Sequence, residues 1–185
     1  MSPGHVLQLG TLTDYVTGIS LPDTLDERYR QKLARFLVVE KGYCRAEILP
    51  RVGVIARAGC QSAVVPLDFQ IVLDGRIVMI LQYGPGSITT RHRPTLAFSR
   101  LVASHQVPVV VVSNGVEAEI LDGFTGRVRG SGLGAIPDRK SLLRIAQEAP
   151  PAKIDGKRAE REARILYAYE VDGACACDDR ICRFE

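Results

Sequence analysis

Two groups of side chains in this sequence have types and spacings suited to chemistry. The first is acidic. Asp68 sits in the apolar run Val64–Leu73, and Glu40 closes an amphipathic run. Counting from Leu33 and Phe36 puts Glu40 on the apolar stripe of that run. A carboxylate there is costly unless it is paired, protonated or bound to a metal. Glu40 would escape that cost at a fraying last turn or beside an arginine. A two-carboxylate site is what a divalent metal needs to polarise a phosphodiester and activate water. Downstream, Arg91-His92-Arg93 follows the loop Gly84-Pro85-Gly86-Ser87 and could hold a phosphate. Its plainer reading is a solvated first helical turn. Arginines at a helix start oppose the helix dipole, which points to an anionic partner, either external or Asp68 or Glu40. His92 reads as a surface histidine. No Ser-His-Asp set, Gly-Lys-Ser/Thr phosphate loop or dinucleotide fingerprint is present.

The second group is sulfur. Three of the five cysteines, Cys175, Cys177 and Cys182, fall in the last eleven residues as C-x-C-x4-C. Three thiolates with a fourth from Cys60 or Cys44 would suit Zn2+ or an iron–sulfur cluster. The equal alternative is a tail of free thiols beside Asp178 and Asp179. Taken singly, Cys44 and Cys60 read as small buried hydrophobes.

The elements that must position these groups follow from periodicity. Asp23 and Thr24 open a helix, with Asp26 and Glu27 as capping partners. Its apolar stripe is Leu25, Tyr29, Leu33, Phe36 and Leu37, and Gly42 ends it. A strand over Ala46–Ile55 looks like a sheet edge. Val64–Leu73 and Arg76–Tyr83 form a hairpin through Asp74-Gly75, the strongest short-range hairpin signal. A helix over Thr90–Ser104 leads to the β-branched strand Val107–Ser113, as found inside α/β sheets. Asn114-Gly115 turns into a further strand, Val116–Leu121. Gly130-Ser131-Gly132-Leu133-Gly134 reads as a loop, Arg139–Glu148 as a helix capped by Asp138, and Lys157–Tyr169 as a last charged helix. Met1–Ser20 has no clear period, with a short strand at Val6–Leu9 as one option.

The expected architecture is therefore α/β, a mixed central sheet flanked by helices, with a helical cysteine-bearing C-terminal segment. It divides into an arm (1–20), a main domain (21–149) and a C-terminal helix and tail (150–185). A hydrophobic fraction of 46% over 185 residues is ample for a core. The net charge of +3 permits an acidic partner without demanding one. With no signal-like or membrane-length apolar run, the expectation is a soluble, cytoplasmic protein without membrane contact.

The order of several short motifs resembles a known family. These are Glu40-Lys41-Gly42-Tyr43, then Leu67-Asp68-Phe69-Gln70-Ile71-Val72. Ile80-Leu81-Gln82-Tyr83-Gly84-Pro85 and Val111-Val112-Ser113-Asn114-Gly115 complete the set. From about Leu21 to Leu142 the chain resembles the N-terminal nuclease-like domain of the R subunit of type I restriction enzymes, within the PD-(D/E)XK superfamily. The resemblance implies a restriction-endonuclease-like fold, DNA as partner alongside other restriction-system or motor subunits, and a Mg2+ or Mn2+ site for endonuclease chemistry. On it, Asp68 takes the role of the metal-binding aspartate and Glu40 that of the helix acid. The chain departs from the pattern at the strand that bears Glu-x-Lys. One alignment puts Leu81 and Tyr83 at the acid and the lysine; the next puts Gln82 and Gly84 there. Either way the lysine is absent. Two readings follow: a nuclease centred on Asp68, with Glu40, Gln82, Arg91 and Arg93, or an inactive relative that binds DNA or protein.

Overall fold

The computed structural model describes residues 9–172 and the backbone of 182–184. A small antiparallel pair, β1 (Thr11–Thr13) and β2 (Ser20–Pro22), precedes α1 (Leu25–Val39). The Thr24 hydroxyl caps α1 by accepting from the Glu27 N–H, as the sequence leads one to expect. The chain leaves the helix through Gly42, whose φ of +74° suits a residue without a side chain.

The main sheet has the order β3 (Ile48–Ala58), β4 (Gln61–Leu73), β5 (Arg76–Tyr83), β6 (Val109–Ser113), β7 (Ala118–Asp122) and β8 (Val128–Ser131). β9 (Cys182–Phe184) pairs antiparallel with the start of β4. Among the described strands only β5–β6 is parallel. That pair needs a crossover, which a 3-10 turn (Thr89–Arg91) and α2 (His92–Leu101) supply. The β4–β5 turn is Asp74-Gly75, both with positive φ, as the tight hairpin requires.

Helices cover both faces. Leu33, Ala34 and Leu37 of α1, with Leu142 of α3 (Arg139–Glu148), pack on Phe69, Ile71, Met79, Leu81, Val109 and Val111. On the other face α2 and α4 (Gly156–Tyr167) bury Phe98, Leu166 and Tyr167 against Val65, Ile80, Val110 and Val112. The fold is thus the mixed α/β sandwich expected of the sequence. α4 runs into one π-helical turn, Ala168–Asp172. Among the described residues no helix is long and apolar enough to cross a membrane.

Three local readings need correcting. Gly130 and Ser131 belong to the edge strand β8, and Leu133–Ala135 is a 3-10 turn, not open loop. The glycines there hid the strand because they carry no alternating side chains. Cys44 and Cys60 are exposed, because each lies at a turn into a strand and not within one. The Val6–Leu9 option falls almost wholly outside the described residues.

Candidate nuclease-like site

β4 carries alternating buried side chains along its whole length, but they change partner at Asp68. Ala63, Val65 and Leu67 pack with the α2–α4 layer, whereas Phe69, Ile71 and Leu73 pack with the α1–α3 layer. Opposite Asp68 on β3 stands Arg51, with φ +53°, and the pairing skips that position. The backbone N–H of Asp68 donates instead to Gln82 Oε1 at 3.1 Å. An irregular ladder at this point frees the aspartate from regular strand geometry.

Both oxygens of the Asp68 side chain are engaged. The residue is 3% exposed. Its Oδ1 accepts from Arg30 Nε at 2.6 Å, and its Oδ2 accepts from the Tyr83 backbone N–H at 2.7 Å. Both bonds to the carboxylate are short, as charge-assisted bonds are. Arg30 is itself buried, on the stripe of α1 that also carries Leu33, Ala34 and Leu37. Its guanidinium carbon lies 5.2 Å from the centre of the Tyr83 ring, within cation–π range. Tyr29 stacks on the other tyrosine at 5.8 Å.

The pair continues outward as a chain of alternating charges. Arg30 Nη1 is 3.6 Å from Glu27 Oε2, and Glu27 Oε1 is 3.6 Å from Arg51 Nη1. Arg51 Nη2 reaches Asp14 Oδ2 at 2.5 Å. Gln31 ties the outer end, donating to both Glu27 and Asp14. Burial by itself would raise the Asp14 pKa; the Thr17 N–H and the Arg51 guanidinium outweigh it and hold the carboxyl below its usual range. Tyr83 donates its hydroxyl to Asp26 at 3.1 Å, and burial followed by the Asp26 charge pushes the phenol up to about 12. The side chain standing at one of the two lysine positions is therefore a neutral donor.

The other sequence candidates are dispersed. Glu40 is exposed at the C-cap of α1, not on its buried stripe, because the helix ends there and its buried face follows Arg30. Ten residues of helix put it roughly 15 Å from Arg30. The helix acid that does reach Asp68, through Arg30, is Glu27. Gln82 adjoins Asp68, but its oxygen is occupied by the Asp68 N–H. Arg93 Nη1 pairs with Glu162 at 2.6 Å. Arg91 lies 3.7 Å from Glu170 and comes from the α2 layer, across the sheet from α1. Its Nε would be 2.9 Å from a β-carbon built on Gly84. His92 Nε2 is 2.5 Å from Glu119 Oε2, half-covered and away from Asp68.

Residues 25–137, well over half of the chain, match the family model described as type I restriction enzyme R protein N terminus. The chain belongs to that family. No match was found among curated proteins or among solved structures. The matched span runs from α1 through the 3-10 turn after β8, so it contains the Asp68 array from Asp26 to Tyr83, with Asp14 before it.

For an R-subunit domain the fold implies a divalent ion at Asp68, and the residues present can be tested against it. Such an ion takes six or more oxygen ligands around it. Here one Asp68 oxygen faces a guanidinium and the other a backbone N–H, while Gln82 turns its oxygen to the Asp68 N–H. Glu27 is separated from Asp68 by the Arg30 cation itself. Among the described residues no three His, Cys, Asp or Glu side chains come together as a metal group. As arranged, the R-subunit site does not fit a divalent ion.

The sulfur candidates are split. Cys60 is exposed on the β3–β4 turn. Cys175 and Cys177 lie outside the described residues, as does the side chain of Cys182. The β9 backbone places Cys182 opposite Val64. That is four strand positions from Cys60, roughly 13 Å along the ladder.

Proposed function

We propose that this is an R-subunit nuclease-like domain that binds DNA, beside other restriction-system or motor subunits in the cytoplasm, without cutting it. The observation that carries the reading is the Asp68 carboxylate, buried and hydrogen-bonded through both oxygens to Arg30 and to the Tyr83 N–H. At 3% exposure it is closed to a scissile phosphate, and among the described residues no lysine or free arginine stands by it.

The binding part of the proposal draws on α1. Its exposed positions are Leu25, Arg28, Lys32, Arg35 and Val39; Arg28 is paired with Asp23 at 2.6 Å, which leaves Lys32 and Arg35 as the two uncompensated cations of the outer stripe. Lys32 and Arg35 form no salt bridge among the described residues. Cations spaced along a helix suit successive phosphates of a nucleic-acid strand. That stripe lies roughly half a turn from Arg30, so a duplex held there faces away from Asp68.

Gel-shift titration of a short duplex, run beside incubation of supercoiled plasmid with Mg2+ or Mn2+, tests the reading. The expected result is binding that weakens steeply with salt, at least tenfold weaker binding for Lys32→Glu with Arg35→Glu, and intact plasmid throughout. Plasmid cutting that disappears in Asp68→Ala contradicts it.

A second reading, cleavage with an arginine in place of the lysine, has one observation in its favour: Arg91 fills the space where a side chain on Gly84 would lie. Cutting abolished by Arg91→Ala would establish it.

A further inference from the structure

The array around Arg30 has an uneven composition. Three carboxylates, Asp14, Glu27 and Asp68, alternate with two guanidiniums, Arg30 and Arg51. Arg30 occupies the inner gap, 2.6 Å from Asp68 and 3.6 Å from Glu27. It arrives from the buried stripe of a helix, a position that otherwise carries leucine or alanine. Burying a guanidinium there is costly unless a charge already in place requires it. Asp68 supplies that requirement, because a lone carboxylate at this depth would be more costly still.

We propose that the Arg30 guanidinium is the resident cation of this site: it takes the position between Glu27 and Asp68 that a divalent ion would take, and it keeps such an ion out. The inference rests on the reading of the site as non-cleaving, but its readout is stability and metal binding and not DNA, so the two fail separately. Removing Arg30 leaves Glu27 and Asp68 facing each other across a gap the size of a guanidinium. Asp14 and Arg51 continue to satisfy the outer end, Gln82 and the Tyr83 N–H keep their bonds to Asp68, and the freed Oδ1 of Asp68 faces the Glu27 carboxylate. A divalent ion supplies two charges without needing the N–H geometry of arginine, so it enters this gap more readily than a monovalent ion.

The test is thermal unfolding of the full chain with and without millimolar Mn2+, at matched ionic strength. The wild-type midpoint is expected to stay unchanged by Mn2+. Arg30→Ala is expected to melt roughly 10 °C lower and to regain a few degrees in Mn2+, saturably. That recovery should vanish in the double variant Arg30→Ala with Asp68→Asn. Should Arg30→Ala fail to fold without metal, Arg30→Gln keeps a donor for Asp68 while removing the charge. Its titration with Mn2+ by calorimetry is expected to show one site, lost with Asp68→Asn. Mn2+ binding by the wild-type protein that depends on Asp68 overturns the proposal. So does an arginine-deleted protein that Mn2+ neither stabilises nor binds.

Discussion

Asp68 and Arg30 form a buried ion pair, so removing either partner strands the other in the core. Breaking such a pair costs about 3–5 kcal/mol. Asp68→Ala should show this loss in urea unfolding, and Asp68→Asn a smaller one, since the amide oxygen still accepts from the Tyr83 N–H. The outer end of the array sets a pH dependence. The Asp14 carboxyl is depressed when folded, so it stabilises the fold fully above its ordinary value of 3.8 and loses that contribution as pH falls below. Unfolding of wild type and Asp14→Asn, compared at several pH values, should give a gap that is constant near neutrality and closes in acid. Asp68 was legible in the sequence because an acid on an apolar strand has few innocent explanations. Arg30 was not, although it stands at i−3, i−4 and i−7 from Leu33, Ala34 and Leu37. An arginine reads as a surface residue unless its partner is known, and that partner lies 38 residues on, in β4. Glu40 was promoted by counting from Leu33 and Phe36, but Phe36 is only half-buried and α1 ends at Glu40, which stands exposed at the C-cap.

Among the elements, α4 and α2 are joined by one carboxylate. Glu162 is 3% exposed and accepts from Arg93 at 2.6 Å and Arg100 at 2.7 Å, with Arg158 at 3.9 Å. Arg93, which the sequence offers to phosphate, is thus engaged inside the protein. Burial lowers the Arg100 pKa, and Glu162 opposes that shift. Glu162→Gln should lower stability by about 2–4 kcal/mol, because it leaves arginines half-buried without a counter-charge. Hydrogen exchange should then rise first in α4. The loop between β6 and β7 is similarly constrained. Gly115 has φ +86°, and a β-carbon there would collide with the Tyr29 ring. Gly115→Ala should destabilise by about 1–3 kcal/mol and disturb the Tyr29–Tyr83 stack. Element identity was legible wherever side chains alternate or turns are signalled: α1, the β4–β5 hairpin and α3 stand where periodicity puts them. The short β1, β2 and β8 were not, because strands of three or four residues, two of them carrying a proline or a glycine, leave too little pattern.

For the whole molecule, the layers separate binding from the buried site. α1 turns Arg30 inward to Asp68 and Arg28, Lys32 and Arg35 outward to solvent. On the proposed reading the domain holds DNA by its backbone while the Asp68–Arg30 pair locks helix to sheet. Affinity for DNA should therefore depend on salt and on Lys32 and Arg35, and be indifferent to Mg2+. The measurement that bears most directly on this account is anomalous diffraction from crystals soaked in Mn2+. The account predicts no manganese peak within bonding distance of Asp68, with Arg30 Nε still hydrogen-bonded to Oδ1. A manganese ion ligated by Asp68 and Gln82, with Arg30 swung aside, would contradict it.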